Sequence, residues 1–284
     1  MSDELAIVQV STLEGIADAV REKRGLTEKI KVDQIEAEAR NIQVGVNKLP
    51  YILASQNGYA EDFSIEAEDL SGVEKIKDYF FKGCKNLRSP NTGDVLEIGV
   101  QAFYGCVGIW NGTRLPSVVK IGDEAFMDCT QLQDIYAPNV THIGSKAFYN
   151  NDYLGFTDSV EFPSATYVGD YAFSECKNMQ TLRLPKVITI GKNACLYCPQ
   201  LQHVDISEYC TDIGYRAFDT DASSGAGLTV SIRATTPPTI DAYTFNENTY
   251  GGLYIRVPQG CGDAYKTATN WSKFADKISE WNFD

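Results

Sequence analysis

The chain has 284 residues, of which 43% are hydrophobic and 22% are charged, and this composition is typical of a folded globular protein. Its formal net charge of −13 argues against nucleic-acid binding, because such proteins neutralise phosphates with lysine and arginine. No stretch reaches the roughly 20 apolar residues of a membrane span, so no membrane insertion is expected. The first residues contain neither a basic leader nor an apolar core, which predicts that no signal peptide exports the chain.

Residues 1–44 are predicted to form a helical hairpin. Ser11 and Glu14 stand at the spacing of a capping box, and Leu13, Ile16 and Val20 follow on one helical face. Two short helices cannot bury a core alone, so they must dock on the rest of the chain or on another molecule. We interpret 1–44 as an attachment or assembly segment that binds other particle subunits or forms a homo-oligomer. Residues 45–60, with their proline and Asn-Gly pair, are predicted to be a connector.

A twelve-residue motif then recurs seven times, with successive copies 22 to 25 residues apart. The copies begin at Ile76, Ile98, Ile121, Ile143, Val168, Ile190 and Ile213. A period in this range predicts a solenoid in which each coil stacks on its neighbours. Apolar-polar alternation after each motif, as in residues 132–138 and 179–185, predicts one parallel strand per coil. We therefore expect a solenoid over residues 61–250, with the motif glycine permitting a tight bend and the Ala-Phe pair packing inside.

One slot of the motif holds a cysteine in five copies and an asparagine in another. These residues are Cys84, Cys106, Cys129, Asn151, Cys176 and Cys198. Both side chains are small and can form local hydrogen bonds, so we expect a buried ladder of reduced thiols. The CxxC formed by Cys195 and Cys198 has no second pair to complete a zinc site, so no metal is predicted.

Residues 251–284 leave the repeat. Residues 253–258 are predicted to form a last strand and 263–278 a helix with Tyr265, Trp271 and Phe274 on its apolar face. A solenoid needs its open end covered, so we expect a C-terminal strand-helix cap.

The repeated pattern IGxxAFxxCxxL, followed by a strand that ends in Leu-Pro, resembles the BspA-like leucine-rich repeat family over residues 61–250. Residues 257–278 resemble the C-terminal cap often seen with these repeats, and residues 11–35 resemble a helical segment of bacteriophage and prophage tail-associated proteins. The first resemblance implies an α+β repeat solenoid, a right-handed arc with a parallel sheet on its concave face. It also implies a surface-exposed adhesion protein, and it brings no catalytic residues.

Alternation along the strands predicts which side chains lie outward on the concave face. Two rows result, one through Arg114, Tyr136, Glu161, Arg183, Asp205 and Ser231 and the other through Asp134, Ser159, Thr181, His203 and Thr229. We expect this face to bind a cell-surface protein or a glycan, although a solvated face without a ligand stays open. A second candidate is the convex edge with Tyr104, Trp110, Tyr149, Tyr153 and Tyr171.

Nothing in the sequence predicts an enzyme or a cofactor, because no nucleophile or metal cluster is placed to work with His203 and Asp205. The hypothesis that follows is a non-enzymatic recognition protein of a phage or prophage tail, assembled in the host cytoplasm and located in the virion. The alternatives are a BspA-like adhesin on a bacterial cell surface and a purely structural particle subunit.

Overall fold

The computed structural model describes residues 63–65, 70, 73–110, 112–156, 159–220, 227–246 and 252–283. The segment 1–44 and the connector 45–60 lie outside these residues. In chain order, the described strands are β1 (Phe63–Ile65), β2 (Lys75–Ile76), β3 (Leu87–Pro90), β4 (Glu97–Ile98), β5 (Thr113–Arg114), β6 (Lys120–Ile121), β7 (Ile135–Tyr136), β8 (His142–Ile143), β9 (Val160–Glu161), β10 (Tyr167–Val168), β11 (Thr181–Leu184), β12 (Thr189–Ile190), β13 (His203–Ile206), β14 (Asp212–Ile213), β15 (Leu228–Ile232), β16 (Thr239–Ile240), β17 (Leu253–Pro258) and β18 (Ile278–Trp281).

The coils stack into a solenoid of parallel sheets, which confirms the predicted architecture. One sheet has eight two-residue strands, from β2 through every even-numbered strand to β16. Each of these strands ends on an apolar residue, and from β2 to β14 this residue is the isoleucine or valine that begins the motif. Ile98, Ile121 and Ile143 are fully buried. This sheet could not be predicted from the sequence, because a strand of two residues shows no alternation.

The second group of strands follows the motif, where alternation predicted it. Strands β9, β11, β13, β15, β17 and β18 form a six-stranded parallel sheet, and β5 pairs separately with β7. The expected stacking is seen where Leu184 pairs with Ile206. In the described part of the chain these strands do not form one continuous sheet, since β7 and β9 are not paired. The break falls in the 25-residue coil between Ile143 and Val168, which is longer than the 22-residue coils on either side, and residues inserted before Val168 separate the two strands.

The motif glycine has a different role from the predicted bend. Gly99, Gly122 and Gly144 do not have positive φ; instead, a Cβ atom at Gly144 would lie 2.6 Å from the backbone N of Asp123 in the preceding coil. The left-handed backbone occurs two residues later, at positions such as Gln101 (φ 52°). Glycine is therefore selected here because neighbouring coils approach closely.

The turn side of the solenoid, which runs from the motif glycine to the cysteine slot, carries a third set of contacts between coils. The N–H of Phe81 donates to the carbonyl oxygen of Ala102 at 2.7 Å, and Phe103 donates to Ala125 at 2.8 Å. The phenylalanine rings stack in the interior, with the centroids of Phe81 and Phe103 5.1 Å apart. Ring stacking thus joins the same position of successive coils, and the backbone hydrogen bonds join each phenylalanine to the alanine position of the next coil.

The segment after the repeats contains an α-helix (Gly262–Thr267) and a 3-10 helix (Trp271–Lys277) rather than the single predicted helix. Asn270 interrupts them with a left-handed backbone (φ 64°), and Ile278 begins β18. Side chains of this segment donate to carbonyl oxygens of the last coil: Tyr265 to Ala234 (2.7 Å), Asn270 to Ile240 (2.6 Å), Trp271 to Pro238 (2.7 Å) and Lys273 to Ala242 (2.9 Å). Because these bonds require a particular approach of each side chain, they override the tendency to continue one helix.

Candidate binding face

The odd-numbered strands from β5 to β17 present their outward side chains on one surface, which we call the strand face. It consists of the predicted residues Arg114, Asp134, Tyr136, Glu161, Thr181, Arg183, His203 and Asp205, together with Thr229, Tyr254 and Arg256. The inward neighbours of these residues are buried, as the alternation predicts, and include Leu115, Ala137, Phe162, Leu184 and Ile206.

Strand pairing divides the eight predicted residues into two groups. Arg114 pairs with Tyr136 in the β5–β7 ladder, and Asp134 precedes this pair. The other five lie in the six-stranded sheet, where Arg183 pairs with Glu161 on one side and with Asp205 on the other. Arg114, Asp134, Tyr136, Glu161, Arg183 and His203 are exposed, whereas Thr181 and Asp205 are half-buried.

Few contacts within the strand face are needed by the fold. The Arg183 Nε lies 3.8 Å from Asp205 Oδ2, and both side chains are partly exposed, so this ion pair contributes little stability. The guanidinium carbon of Arg114 is 5.8 Å from the centre of the Tyr136 ring. Asp134 accepts the backbone N–H of Gly112 at 2.8 Å, which links the adjacent coils. Tyr136, which is 53% exposed, is left available for a ligand.

The structure extends this face beyond the predicted residues and changes the role of one of them. Ser231 lies in the outward row, in register between Asp205 and Arg256, but it is only 9% exposed and offers little surface to a ligand. Thr229 pairs with Tyr254, and Ser231 pairs with Arg256, so β17 continues both outward rows. Alternation in residues 253–258 was the signal that could have identified them, but that segment was interpreted only as a cover for the solenoid end.

Side chains on the turn side are more strongly engaged with one another than those on the strand face. Tyr149 donates its hydroxyl to Glu175 in the next coil, and this hydrogen bond raises the pKa of Tyr149 to about 12. A hydrogen bond with Asp128 raises the pKa of Tyr104 in the same way. Tyr104, Tyr149 and Tyr171 are half-buried, while Trp110 and Tyr153 are exposed. Tyr104 and Tyr149 are therefore partly structural, and the predicted convex edge is the weaker candidate for a binding surface.

The cysteine slot forms a ladder of side-chain hydrogen bonds. Each residue donates to the carbonyl oxygen of the motif phenylalanine in the preceding coil: Cys106 to Phe81 (2.9 Å), Cys129 to Phe103 (3.0 Å), Asn151 to Phe126 (2.9 Å), Cys176 to Phe148 (3.2 Å) and Cys198 to Phe173 (3.0 Å). Cys84 is buried in the same slot of the first coil, and all six positions are fully buried. The shared requirement is a small side chain that donates a hydrogen bond.

The thiols are not arranged for metal or redox chemistry. Burial raises the pKa of Cys106, Cys129 and Cys176, so they stay protonated near neutral pH. Cys195 of the CxxC pair is buried where other coils have phenylalanine, and burial raises its pKa too. No group of His, Cys, Asp or Glu within the described ranges could hold a metal ion.

The two histidines have different surroundings. His142 lies on the eight-stranded sheet, where its ring stacks on Tyr167 with centroids 4.5 Å apart. Partial burial lowers the pKa of His142, and the nearby charge of Lys120 lowers it further. His203 is exposed on the strand face, where it pairs with Thr181 and Thr229 through their strands.

These coils, with parallel strands and a hydrogen-bonding Cys/Asn slot, define a leucine-rich repeat solenoid. The description "BspA type Leucine rich repeat region" matches residues 56–157 and 139–250, in six copies. The chain belongs to this BspA-type leucine-rich repeat family. No curated protein matches the chain.

Solved structures with a similar arrangement are also leucine-rich repeat proteins. One from Bacteroides ovatus is 21% identical, with a TM-score of 0.42, and the match covers 73% of this chain and 63% of that one. One from T. pallidum is 20% identical, with a TM-score of 0.39 and coverage of 56% and 65%. A leucine-rich cell surface protein from Faecalibacterium prausnitzii is 16% identical, with a TM-score of 0.33 and coverage of 81% and 82%. With TM-scores this low, the family assignment depends on the sequence match alone.

The comparisons give no support to the predicted relation with phage tails. The family match begins at residue 56, so it does not include the segment 11–35 on which that prediction depended. Among the described residues, none of the helices is long and apolar enough to cross a membrane.

Proposed function

We propose that this protein is a non-enzymatic bacterial surface adhesin that binds a cell-surface protein or glycan through its strand face. The observation that supports it most is the combination of buried inward residues with exposed outward residues of varied chemistry. Tyr136, Arg183 and His203 protrude from strands whose packing depends on other positions. Membership of the BspA-type family favours an adhesin over a tail receptor-binding protein. The tail hypothesis depends only on the resemblance of residues 11–35.

The strand face is better suited to a ligand than the turn side for an energetic reason. A ligand there would displace water from side chains that make few internal contacts, such as Tyr136 and Arg183. On the turn side, a ligand would have to compete with hydrogen bonds between coils, such as that between Tyr149 and Glu175. Aromatic and arginine side chains are also those that most often dominate binding energy.

The test compares two double variants that each remove one tyrosine and one arginine. Tyr136→Ala/Arg183→Gln changes the strand face, and Tyr215→Ala/Arg216→Gln changes the turn side as a matched control. Gln suits position 216 because Gln101 occupies the same motif position with the same left-handed backbone. Both variants should keep their stability within about 0.5 kcal/mol per exposed substitution, except for the loss of the ion pair between Arg216 and Asp219.

Adhesion to bacterial and epithelial cells is measured by flow cytometry with the labelled full chain. We expect the strand-face variant to lose at least about 1 kcal/mol of binding free energy per contact residue, and the control to bind normally. Loss of adhesion in the control alone would place recognition on the turn side. Absence of adhesion by the unaltered chain to every cell type tested would refute the proposed function.

We further propose that residues 1–44 mediate self-association or attachment to a larger assembly. The sequence of this segment predicts amphipathic helices, whose apolar faces could dock on another surface. Deletion of 1–44 should leave the solenoid folded and reduce the oligomeric state in sedimentation experiments. An unchanged oligomeric state would show that this segment serves only the fold.

A further inference from the structure

The C-terminal end of the strand face contains two arginines that lie against aromatic rings. The guanidinium carbon of Arg256 is 4.1 Å from the centre of the Trp281 ring, and that of Arg233 is 4.8 Å from the Phe283 ring. Trp281 is 48% exposed. We call this surface, formed by Arg233, Tyr254, Arg256, Trp281 and Phe283, the C-terminal patch.

The arginines of the C-terminal patch are close to each other. Arg256 pairs with Ser231 across β17 and β15, and Arg233 lies two residues beyond Ser231. From the spacing of strands and the rise along them, the two arginine Cα atoms are roughly 8 Å apart. Both guanidinium groups can therefore reach one anionic group or two groups on one ligand.

Neither arginine is neutralised within the described part of the chain. Arg183 and Arg216 have aspartate partners, at 3.8 Å and 2.6 Å, but no described carboxylate is in ion-pair distance of Arg233 or Arg256. Arg233 donates one hydrogen bond, to the carbonyl oxygen of Phe283 at 3.3 Å, and its other donors are not used by side chains of the described residues. Two cations without a carboxylate partner among the described residues stand out on a chain with a net charge of −13.

The neighbouring side chains favour a sugar over a peptide. Tyr254 is 55% exposed and lies two residues from Arg256 on the same face, so its ring offers flat apolar area next to the charge. Thr229 and Ser279 pair with these residues and supply hydroxyl groups. Peptide recognition on a sheet uses apolar pockets for alternate side chains, and the side chains around the two arginines are polar or aromatic.

We propose that the C-terminal patch binds an acidic glycan, with its carboxylate or sulfate held by Arg233 and Arg256 and a sugar ring lying against Tyr254 or Trp281. This inference depends on the proposed function, since it identifies the chemistry of the ligand at one end of the strand face. Guanidinium groups bind carboxylate and sulfate oxygens through paired, charge-assisted hydrogen bonds. The acidic remainder of the surface would repel such a ligand, which confines binding to this end.

The experiment uses the full chain and three related glycans immobilised at high density, so that weak binding is detected by avidity. They are N-acetyllactosamine, its sialylated form with a carboxylate, and its 6-sulfated form. We expect one or both acidic forms to bind at least about tenfold more tightly than the neutral form, with an affinity that falls as salt rises. The two acidic forms distinguish carboxylate from sulfate recognition.

Variants then locate the site. Arg233→Gln and Arg256→Gln should each weaken binding of the acidic glycan about tenfold or more, whereas the turn-side control Arg216→Gln should change it less than about twofold. Circular dichroism confirms that each variant is folded. Equal binding of the neutral glycan, no binding of either acidic form, or an equal loss in Arg216→Gln would overturn the proposal.

A competition experiment separates this inference from the proposed function. If the unaltered chain adheres to cells and Arg233→Gln/Arg256→Gln adheres equally well, the acidic-glycan site is refuted while adhesion through the strand face stands. If an acidic peptide such as polyglutamate displaces the chain from cells and the acidic glycans do not, the C-terminal patch binds a protein instead. If the unaltered chain adheres to no cells, the proposed function itself fails, whatever the glycans show.

Discussion

The close approach of the coils at the motif glycine predicts a large effect for Gly144→Ala. The new Cβ atom would lie 2.6 Å from three atoms of the preceding coil, namely the backbone N and Oδ1 of Asp123 and the carbonyl carbon of Gly122. Two of these atoms belong to the backbone and cannot rotate away. Hydrogen bonds hold the same coils together, including Gly144 N–H to Ile121 O at 2.9 Å and Ser145 N–H to Asp123 Oδ1 at 2.8 Å.

The size of the effect follows from these contacts. Overpacking of a rigid interior costs about 1–3 kcal/mol. Separating the coils by the required several tenths of an ångström would also weaken the two hydrogen bonds, at about 0.5–1.5 kcal/mol each. We therefore expect a total loss of about 2–6 kcal/mol, a large fraction of the stability of an ordinary domain.

Gly105→Ala is the matched control, because it is the same substitution at a different position of the motif in the same solenoid. Gly105 has φ +67°, and a Cβ atom there would meet nothing within 4 Å. Asp128 occupies the equivalent position of the next coil with φ 60°, so a side chain is tolerated. The expected cost is only that of a left-handed backbone, about 1–2 kcal/mol.

Urea unfolding followed by circular dichroism measures both variants. Because a repeat protein can unfold coil by coil, hydrogen exchange of the amides on either side of Gly144 should be measured in parallel. We expect a lower midpoint and faster exchange in these coils for Gly144→Ala. If Gly144→Ala is no less stable than Gly105→Ala, steric approach between coils does not explain the glycine.

Three further predictions concern pH and the end of the solenoid. Burial raises the pKa of the thiols, to about 12 for Cys210. The stability that the protonated thiols contribute is therefore complete below the unfolded pKa of about 8.5 and is lost as pH rises above it. Thermal unfolding between about pH 7 and 10 should show this loss, and constant stability would contradict it. Burial lowers the pKa of His142, so the free energy of unfolding should fall as pH drops below about 6.5. His142→Gln should reduce this dependence of stability on pH, and an identical pH profile in the variant would exclude this histidine as the cause. Trp271→Phe removes the hydrogen-bond donor to the Pro238 carbonyl and should cost about 1–3 kcal/mol in urea unfolding. Trp281→Phe, at an exposed position, should cost less than about 0.5 kcal/mol. Equal losses would show that the hydrogen bond is unimportant.

The sequence predicted the solenoid and its outward residues well because both depend on periodicity. The recurring motif identified the coils, and alternation separated inward Leu184 and Ile206 from outward Arg183 and Asp205. The cysteine slot was also visible, since Asn151 replaces cysteine in one coil and thereby indicates a hydrogen-bonding role. Each of these inferences compares residues along the chain, so it can be made without knowing how the coils contact one another.

Other features could not be read from the chain, because they depend on distances between coils. The eight-stranded sheet consists of two-residue strands that exist only through pairing with neighbours. The glycine requirement arises from contact with the preceding coil rather than from the local backbone angle. The break between β7 and β9 and the helix interruption at Asn270 are likewise set by which coil or carbonyl group each segment meets.

The candidate site divides in the same way. The sequence by itself determined the repeat period, the alternation of inward and outward residues along the strands, and the polar rows from Arg114 to Asp205. Repetition and alternation are properties of the chain. Only the tertiary structure decided that Ser231 is buried and that Tyr254 and Arg256 continue the rows. It also placed Trp281 against Arg256, at the end of a different strand. The physical reason is that neighbours across a sheet are chosen by strand register and coil stacking, which no local pattern contains.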